Sequence, residues 1–233
     1  MVDLTTEMAA LWGALGPARA GRGRVLLFVA ARSGEGTSTV AREFARLAAV
    51  RARKPVWLVD GDVREPRQQA EVAAEPDRFG ALGREASASP DGSAFFAIHP
   101  RLKDREGKPL PPGRLLTARP CLGGRLWVAR VRTDRLSPSH RLEAVSAPGY
   151  WNLMRGHADT VVVDCPAADR SDLALTLAGT ADQVVQIVSA DASEANDHAL
   201  LRAELEAAGA RMAGLVFNRA PEAPRLLRRL GAA

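Results

Sequence analysis

The chain of 233 residues is poor in two residue types: Tyr150 is its one tyrosine, and only three of its 32 basic residues are lysine, namely Lys54, Lys103 and Lys108. Aromatic residues make up 5% of the sequence. Long apolar runs are also missing, since the longest covers residues 25–31 and a membrane-spanning helix needs about 20 apolar residues. The composition, 46% hydrophobic and 25% charged, is typical of a globular domain.

Cysteine is equally scarce. Cys121 and Cys165 lie far apart and form no C-x-x-C pair, so the sequence predicts neither a disulfide framework nor a zinc site. The first ten residues carry Asp3 and Glu7 and show no basic flank before an apolar core, which argues against a signal peptide. We therefore expect a cytoplasmic protein.

The charge balance is basic, with a net charge of +5 and a pI of about 10.0. Such a balance is compatible with nucleic acid, a membrane surface or an acidic partner, but an arginine-rich solvated surface explains it equally well. No basic patch is interleaved with aromatic residues, as base stacking would require. We therefore expect no nucleic-acid partner.

Apolar runs alternate with helical patterns along the chain. The predicted strands are Val25–Ala30, Val56–Val59, Leu126–Val131, Thr160–Val163, Val184–Val188 and Met212–Phe217. The predicted helices are Thr37–Arg53, Ser193–Ala208 and a short basic one over Pro224–Leu230. Apolar strands that alternate with helices indicate an α/β fold, a doubly wound and mostly parallel sheet flanked by helices.

The segment between residues 76 and 120 interrupts this pattern, because it mixes Pro, Gly, Ser and Arg in irregular order. Long loops of this kind in compact domains tend to be functional or disordered. We predict a single domain over residues 1–233 with an irregular insertion at about 76–120. Phe95, Phe96 and Ile98 would pack the insertion against the rest.

The most informative segment is the glycine-rich turn between the first strand and the first of these helices. Gly34 and Gly36 allow positive φ angles and a close approach of backbone N–H groups to an anion, and the helix N-terminus adds its dipole. Ser38 or Thr39 is placed to ligate magnesium. The standard phosphate loop is G-x-x-x-x-G-K-[ST], and this chain departs from it most at Thr37, which replaces the lysine.

Three aspartates follow two of the predicted strands: Asp60 and Asp62 follow the second, and Asp164 follows the run over residues 160–163. Ligands of parallel sheets bind outside the carboxyl ends of the strands, where carboxylates can hold magnesium beside phosphates. Each aspartate alone is explained as a turn or cap residue. Because all three accompany a glycine-rich turn, we predict a metal site made of Ser38, Asp60 and Asp164.

These motifs resemble the cytoplasmic kinase domain of the bacterial tyrosine kinases of capsule and exopolysaccharide biosynthesis, within the deviant Walker-A P-loop ATPases. The family's loop G-E-G-K-S-T corresponds to Gly34, Glu35, Gly36, Thr37, Ser38 and Thr39. Its motif D-x-D-x-R-x-P is complete in Asp60, Asp62, Arg64 and Pro66. The D-x-P-P motif appears as Asp164, Cys165, Pro166 and Ala167, and G-x-V-x-N matches residues 214–218. The resemblance covers about residues 25–219, without the insertion.

The resemblance implies the fold of a P-loop NTPase and a site for ATP or ADP with Mg²⁺. Residues 34–39 would hold the phosphates, and Asn218 would lie near the adenine. Asp60, Asp62 and Arg64 would be the catalytic residues if the protein is active.

Three departures from the family bear on activity. Thr37 cannot supply the charge of the loop lysine, and Arg32 either compensates for it or is a solvated loop arginine. The C-terminal tyrosine cluster that the family autophosphorylates is missing. The ring-forming motif E-x-x-R-x-x-R is reduced to Glu7, Ala10 and Gly13, although the chain could still form a homo-oligomer of another type.

We therefore expect a kinase-like P-loop protein of exopolysaccharide biosynthesis or export, similar to holdfast-type members of the family. It would be a pseudokinase that regulates a membrane-bound chain-length or export protein, and this partner would hold it at the inner face of the plasma membrane. One alternative is an active ATPase or tyrosine kinase with a substituted Walker A loop. Another is a partitioning-type ATPase that binds DNA or membrane, with residues 225–230 as a basic amphipathic anchor.

Overall fold

The computed structural model describes residues 3–18, 21–191 and 195–220. Its strands are β1 (Arg24–Ala30), β2 (Val56–Asp60), β3 (Ala86–Ser87), β4 (Phe96–His99), β5 (Leu116–Cys121), β6 (Leu126–Val131), β7 (Arg141–Ala144), β8 (Thr160–Asp164), β9 (Gln183–Ser189) and β10 (Met212–Asn218). Its α-helices are α1 (Thr5–Leu15), α2 (Thr37–Arg51), α3 (Gln68–Ala73), α4 (Pro76–Phe79), α5 (Pro148–His157), α6 (Leu173–Leu177) and α7 (Ala195–Ala207).

Eight strands form one sheet in the order β10-β9-β1-β8-β2-β6-β5-β3. The first six strands in this order are parallel, and β5 and β3 add an antiparallel edge. The mostly parallel, doubly wound α/β sheet expected from the sequence is confirmed. All seven residues of β1 are buried, as expected for a central strand with both faces covered.

Two hydrophobic cores lie on opposite faces of the sheet. On one face α1 and α2 cover the strands, and the rings of Phe28 and Phe44 are 5.3 Å apart. On the other face α5, α6 and α7 contribute to the core, where Trp151 is fully buried. Because six strands of the sheet are parallel, their carboxyl ends lie together at one edge, where the candidate site lies.

The six predicted strands are all present, with ends that differ by a residue or two. The first of the predicted helices is α2, which ends at Arg51, and the second is α7. The basic helix predicted over Pro224–Leu230 lies outside the described residues. Among the helices of the described ranges, none is long and apolar enough to cross a membrane.

The segment between residues 76 and 120 is more regular than its sequence indicates. It contains α4, β3, β4 and β5, and β5 pairs antiparallel with β6 to extend the main sheet. Strand β4 pairs with β7 in a separate two-stranded sheet. Phe95, Phe96 and Ile98 are buried in the same core as α5, so these residues do anchor the segment. Short edge strands with polar residues carry little apolar periodicity, which explains why the pattern does not reveal them.

Phe95 is the main anchor of this segment, since its ring stacks on Trp151 at 5.3 Å and also approaches Tyr150 at 5.9 Å. We expect Phe95→Ala to lower the free energy of unfolding by about 3–5 kcal/mol in urea denaturation, because it opens a cavity in a close-packed core. Leu200→Ala is the control, since Leu200 is 60% exposed on α7 and should lose less than about 1 kcal/mol. A loss below about 1 kcal/mol for Phe95→Ala would show that the segment does not depend on this anchor.

Candidate functional site

The glycine-rich turn forms an anion cradle between β1 and α2. Gly34 and Gly36 have φ angles of 89° and 87°, in the left-handed region that glycine adopts without strain. Gly36 is the N-cap residue of α2, and its carbonyl accepts a hydrogen bond from the Val40 amide at 3.0 Å. The backbone N–H groups at the start of α2 therefore face the cavity that the loop borders.

Two buried contacts fix the loop from behind. Glu35 is 3% exposed, and its carboxylate accepts hydrogen bonds from the amides of Arg32 (2.8 Å) and Ser189 (2.9 Å). Asn218 donates its side-chain amide to the Glu35 carbonyl at 2.8 Å. Both side chains thus shape the loop. A sequence motif alone does not distinguish this role from the direct nucleotide contact that we expected of each residue.

The aspartates lie together at the carboxyl edge of the sheet. Asp60 and Asp164 are the last residues of β2 and β8 and occupy paired positions in the register of these strands. Both are buried, and Asp62 follows two residues after Asp60. The structure therefore brings together the three carboxylates that the sequence singled out.

The Asp60 carboxylate stabilises the turn that follows β2. One of its oxygens accepts a hydrogen bond from the Asp62 amide (3.1 Å), and the other accepts from the amides of Arg67 (2.7 Å) and Gln68 (2.8 Å). Burial, together with the negative charge of Asp164, raises the pKa of Asp60 to about 7 in spite of these bonds.

Gln68 connects Asp164 to the first turn of α2, next to the glycine-rich loop. Its side-chain amide donates to Asp164 Oδ2 at 2.7 Å and to the Ser38 carbonyl at 3.0 Å, and its oxygen accepts from Arg42 at 3.2 Å. The other carboxylate oxygen of Asp164 is buried without a hydrogen-bond partner. Burial raises the pKa of Asp164 to about 6, against the hydrogen bond from Gln68, the interaction with the Ser38 side chain and the charge of Arg42.

The cavity in front of these residues has a volume of about 330 Å³. It is bordered by the loop, by the three aspartates and by four arginines: Arg32, Arg42, Arg67 and Arg170. Each of these arginines forms an ion pair with a carboxylate. The pairs are Arg32–Asp197, Arg42–Glu71 at 3.8 Å, Arg67–Glu65 at 3.2 Å and Arg170–Asp62 at 3.2 Å.

Arg64, expected beside the aspartates, contacts them only through its backbone, since its amide donates to Asp62 Oδ1 at 3.1 Å. Its side chain lines a neighbouring cavity together with Val63 and Leu136. Residues 34–39 border the main cavity as expected, with Thr37 buried at 8% exposure where the family has its lysine. The sequence analysis missed Gln68 and Arg42. The spacing of Arg42, four residues after Ser38 on one helix, could have revealed that both share a face.

The residues fit a nucleotide with a divalent cation. The amides at the start of α2 can donate hydrogen bonds to a phosphate group, and the Ser38 hydroxyl and the open oxygen of Asp164 are oxygen ligands of the type that Mg²⁺ prefers. Magnesium in such sites typically has only one or two protein carboxylates. Within the described ranges, no group of three or more His, Cys, Asp or Glu side chains forms a dedicated metal cage.

A scan against protein-family models and a search among curated proteins both find no match. Among solved structures, the kinase domain of the Escherichia coli tyrosine kinase ETK is similar, with 14% identity over 95% of this chain and 74% of that chain and a TM-score of 0.58. The VpsO kinase domain is 18% identical over 93% of this chain and 91% of its own (TM-score 0.57). The BceF tyrosine kinase domain is 19% identical over 94% and 75% (TM-score 0.52). At this identity the likeness shows a shared fold.

The close approach of Gly36 to Asn218 predicts an effect of substitution. A Cβ atom at Gly36 would lie 2.1 Å from the Asn218 amide nitrogen, whereas a Cβ atom at Gly34 would meet nothing within 4 Å. Both glycines have positive φ, so Gly36→Ala should cost about 1 kcal/mol more in the free energy of unfolding than Gly34→Ala. In an Asn218→Ala background this excess should disappear. An excess that persists there would contradict the contact as its cause.

The raised pKa of Asp60 predicts how stability depends on pH. Because Asp60 titrates near 7 in the folded state and near 3.8 in the unfolded chain, the folded state binds more protons between these values. The free energy of unfolding therefore falls as the pH rises from 4 to 7, by up to about 1.4 kcal/mol per pH unit for one proton. In urea denaturation, we expect the free energy of unfolding of Asp60→Asn to depend less steeply on pH. Glu206→Gln, which changes an exposed carboxylate on α7, should keep the wild-type slope.

Proposed function

We propose that this protein is a kinase-like P-loop protein that binds adenine nucleotide in the cavity beside the glycine-rich loop and acts as a regulator of exopolysaccharide synthesis or export. The cradle formed by residues 34–38 supports nucleotide binding, because backbone amides at a helix N-terminus bind phosphate without any charged side chain. The similarity to three kinase-domain folds supports the kinase-like part of the proposal.

The observation that carries the regulatory role is the charge arrangement of the cavity. The loop supplies a hydroxyl at Thr37 in place of an ammonium group, and the four arginines of the described cavity lining are each paired with a carboxylate. Phosphoryl transfer needs a cation that stabilises charge on the transferred group. A cavity with a hydroxyl in place of the loop cation, and with its exposed arginines Arg32, Arg67 and Arg170 already paired with carboxylates, favours binding over transfer.

Tyr150 adds an independent argument, because it is the one tyrosine of the chain. Its side chain is 1% exposed, and its hydroxyl lies 3.5 Å from the Ala88 carbonyl. Burial raises the pKa of Tyr150 well above its usual range. A hydroxyl held inside the core cannot reach a nucleotide in a neighbouring molecule, so this chain offers no tyrosine for autophosphorylation in the folded state.

The partner we propose is a membrane-bound chain-length or export protein of the polysaccharide machinery. Its contact would hold the chain at the inner face of the plasma membrane, and homo-oligomerisation on that partner is part of the same proposal. The proposal rests on the resemblance of the loop and of the D-x-D-x-R-x-P motif to the tyrosine kinases of these pathways.

The second candidate is an active ATPase or tyrosine kinase with a substituted loop. The open oxygen of Asp164 and the Ser38 hydroxyl favour it, since they could hold Mg²⁺ beside the phosphates. In that protein Asp60 would act as the base or as a metal-site residue. Its turnover should then be abolished in Asp60→Ala.

Calorimetric titration of the full chain with ATP and ADP, combined with phosphopeptide mass spectrometry, tests the proposed regulator. We expect measurable nucleotide binding and no phosphotyrosine after incubation with ATP and Mg²⁺. Thr37→Lys should tighten ATP binding about tenfold, or 1.4 kcal/mol, because it adds a cation at the phosphates. Val50→Lys, which adds the same charge at the exposed end of α2, should leave binding unchanged.

Two results would contradict the regulator. Rapid ATP turnover or phosphotyrosine in the wild-type chain would favour the second candidate. An absence of binding for both nucleotides, in a chain that is shown to be folded by circular dichroism, would contradict a nucleotide site altogether.

A further inference from the structure

Gln68 occupies the corner of the cavity where the buried carboxylate of Asp164 meets the phosphate loop. Gln68 is 1% exposed. Its amide nitrogen donates to Asp164 Oδ2 and to the Ser38 carbonyl, and its amide oxygen accepts from Arg42. The two donated bonds reach two oxygens that lie on different elements, β8 and α2. A bound cation would bridge oxygens in the same way.

Arg42 supplies the positive charge of this corner. It lies one turn after Ser38 on α2, and its side chain is only 8% exposed. Its carboxylate partner, Glu71, is 54% exposed and 3.8 Å away, so that pair is loose and solvent-screened. Its Nε is buried without a hydrogen-bond partner, as is the open oxygen of Asp164. The guanidinium is therefore largely shielded from solvent, and the Gln68 side chain links it to the Asp164 carboxylate.

This charge matters for an incoming polyphosphate. A buried carboxylate repels phosphate strongly when nothing compensates it, because the local dielectric constant is low. A divalent cation removes that repulsion in most phosphate sites by lying between the two anions. In this cavity Gln68 donates a hydrogen bond to the Asp164 carboxylate and accepts one from the buried Arg42, so the chain itself places a positive charge near that carboxylate.

We propose that Arg42 and Gln68 provide, within the chain, the charge compensation that a divalent metal ion provides at other phosphate sites, so that nucleoside di- and triphosphates bind here without requiring a metal. This inference rests on the proposed nucleotide site and specifies how that site works. It also accounts for an arginine buried beside a phosphate loop that has lost its own cation.

The test compares ATP and ADP binding by the full chain in excess EDTA and in excess Mg²⁺, measured by calorimetry. We expect the two dissociation constants to agree within about threefold for each nucleotide. Arg42→Met should weaken binding in EDTA at least tenfold, and Mg²⁺ should restore most of that loss, because the metal then replaces the missing charge. Arg42→Lys keeps the charge and should behave like the wild type.

Arg46→Met is the matched control, since Arg46 lies one turn further along α2 and pairs with Glu43 outside the cavity. It should leave the EDTA-to-Mg²⁺ ratio unchanged. Wild-type binding that falls more than tenfold in EDTA would overturn the inference while leaving the nucleotide site intact. An Arg42→Met chain that binds equally well in EDTA would also overturn it. An absence of binding under both conditions would instead contradict the nucleotide site itself, and this inference with it.

Discussion

Two carboxylates buried side by side at the ends of parallel strands are the constraint on which the rest of the site depends. Asp60 and Asp164 end β2 and β8 in register, and neighbouring strands lie only about 4.8 Å apart. Like charges at such a distance are costly in a protein interior, so the chain surrounds them with donors. After the turn that follows β2, the backbone amides of Arg67 and Gln68 donate hydrogen bonds to Asp60, and α3 begins at Gln68.

The same constraint links elements that are distant in the sequence. Gln68 reaches from α3 to Asp164 on β8 and to the carbonyl of Ser38 on α2. Arg42 then joins this network from the next turn of α2. The loop is held from its other side by Glu35, whose carboxylate accepts the Ser189 amide at the end of β9. Strands β2, β8 and β9 and the loop are thus linked around one cavity by hydrogen bonds of a few buried polar side chains.

The main sheet could be predicted from the sequence because its central strands are continuous apolar runs, which differ from the alternating pattern of strands with one solvent-exposed face. The sequence was insufficient for β5 and β3, which form the antiparallel edge and contain residues such as Arg119 and Pro120 that weaken the strand signal. In the site, the loop and the three aspartates were identified because glycine and aspartate are rare inside strands. Gln68 carries no charge and belongs to no motif, so only the three-dimensional structure shows that it is central.

Nucleotide binding and phosphoryl transfer depend on different parts of a P-loop site, and the proposed function of this chain rests on that difference. Backbone amides stabilise bound phosphate in the ground state. A side-chain substitution leaves these amides in place as long as it keeps the loop conformation set by Gly36. A loop lysine contributes most where charge develops during transfer, so replacing it lowers the rate more than the affinity. In the regulator proposed above, Thr37 would lack that contribution, and the buried Tyr150 would not serve as an acceptor. On that proposal the scarcity of lysine and tyrosine in the sequence bears on catalysis, whereas the backbone conformation of the loop depends on its glycines.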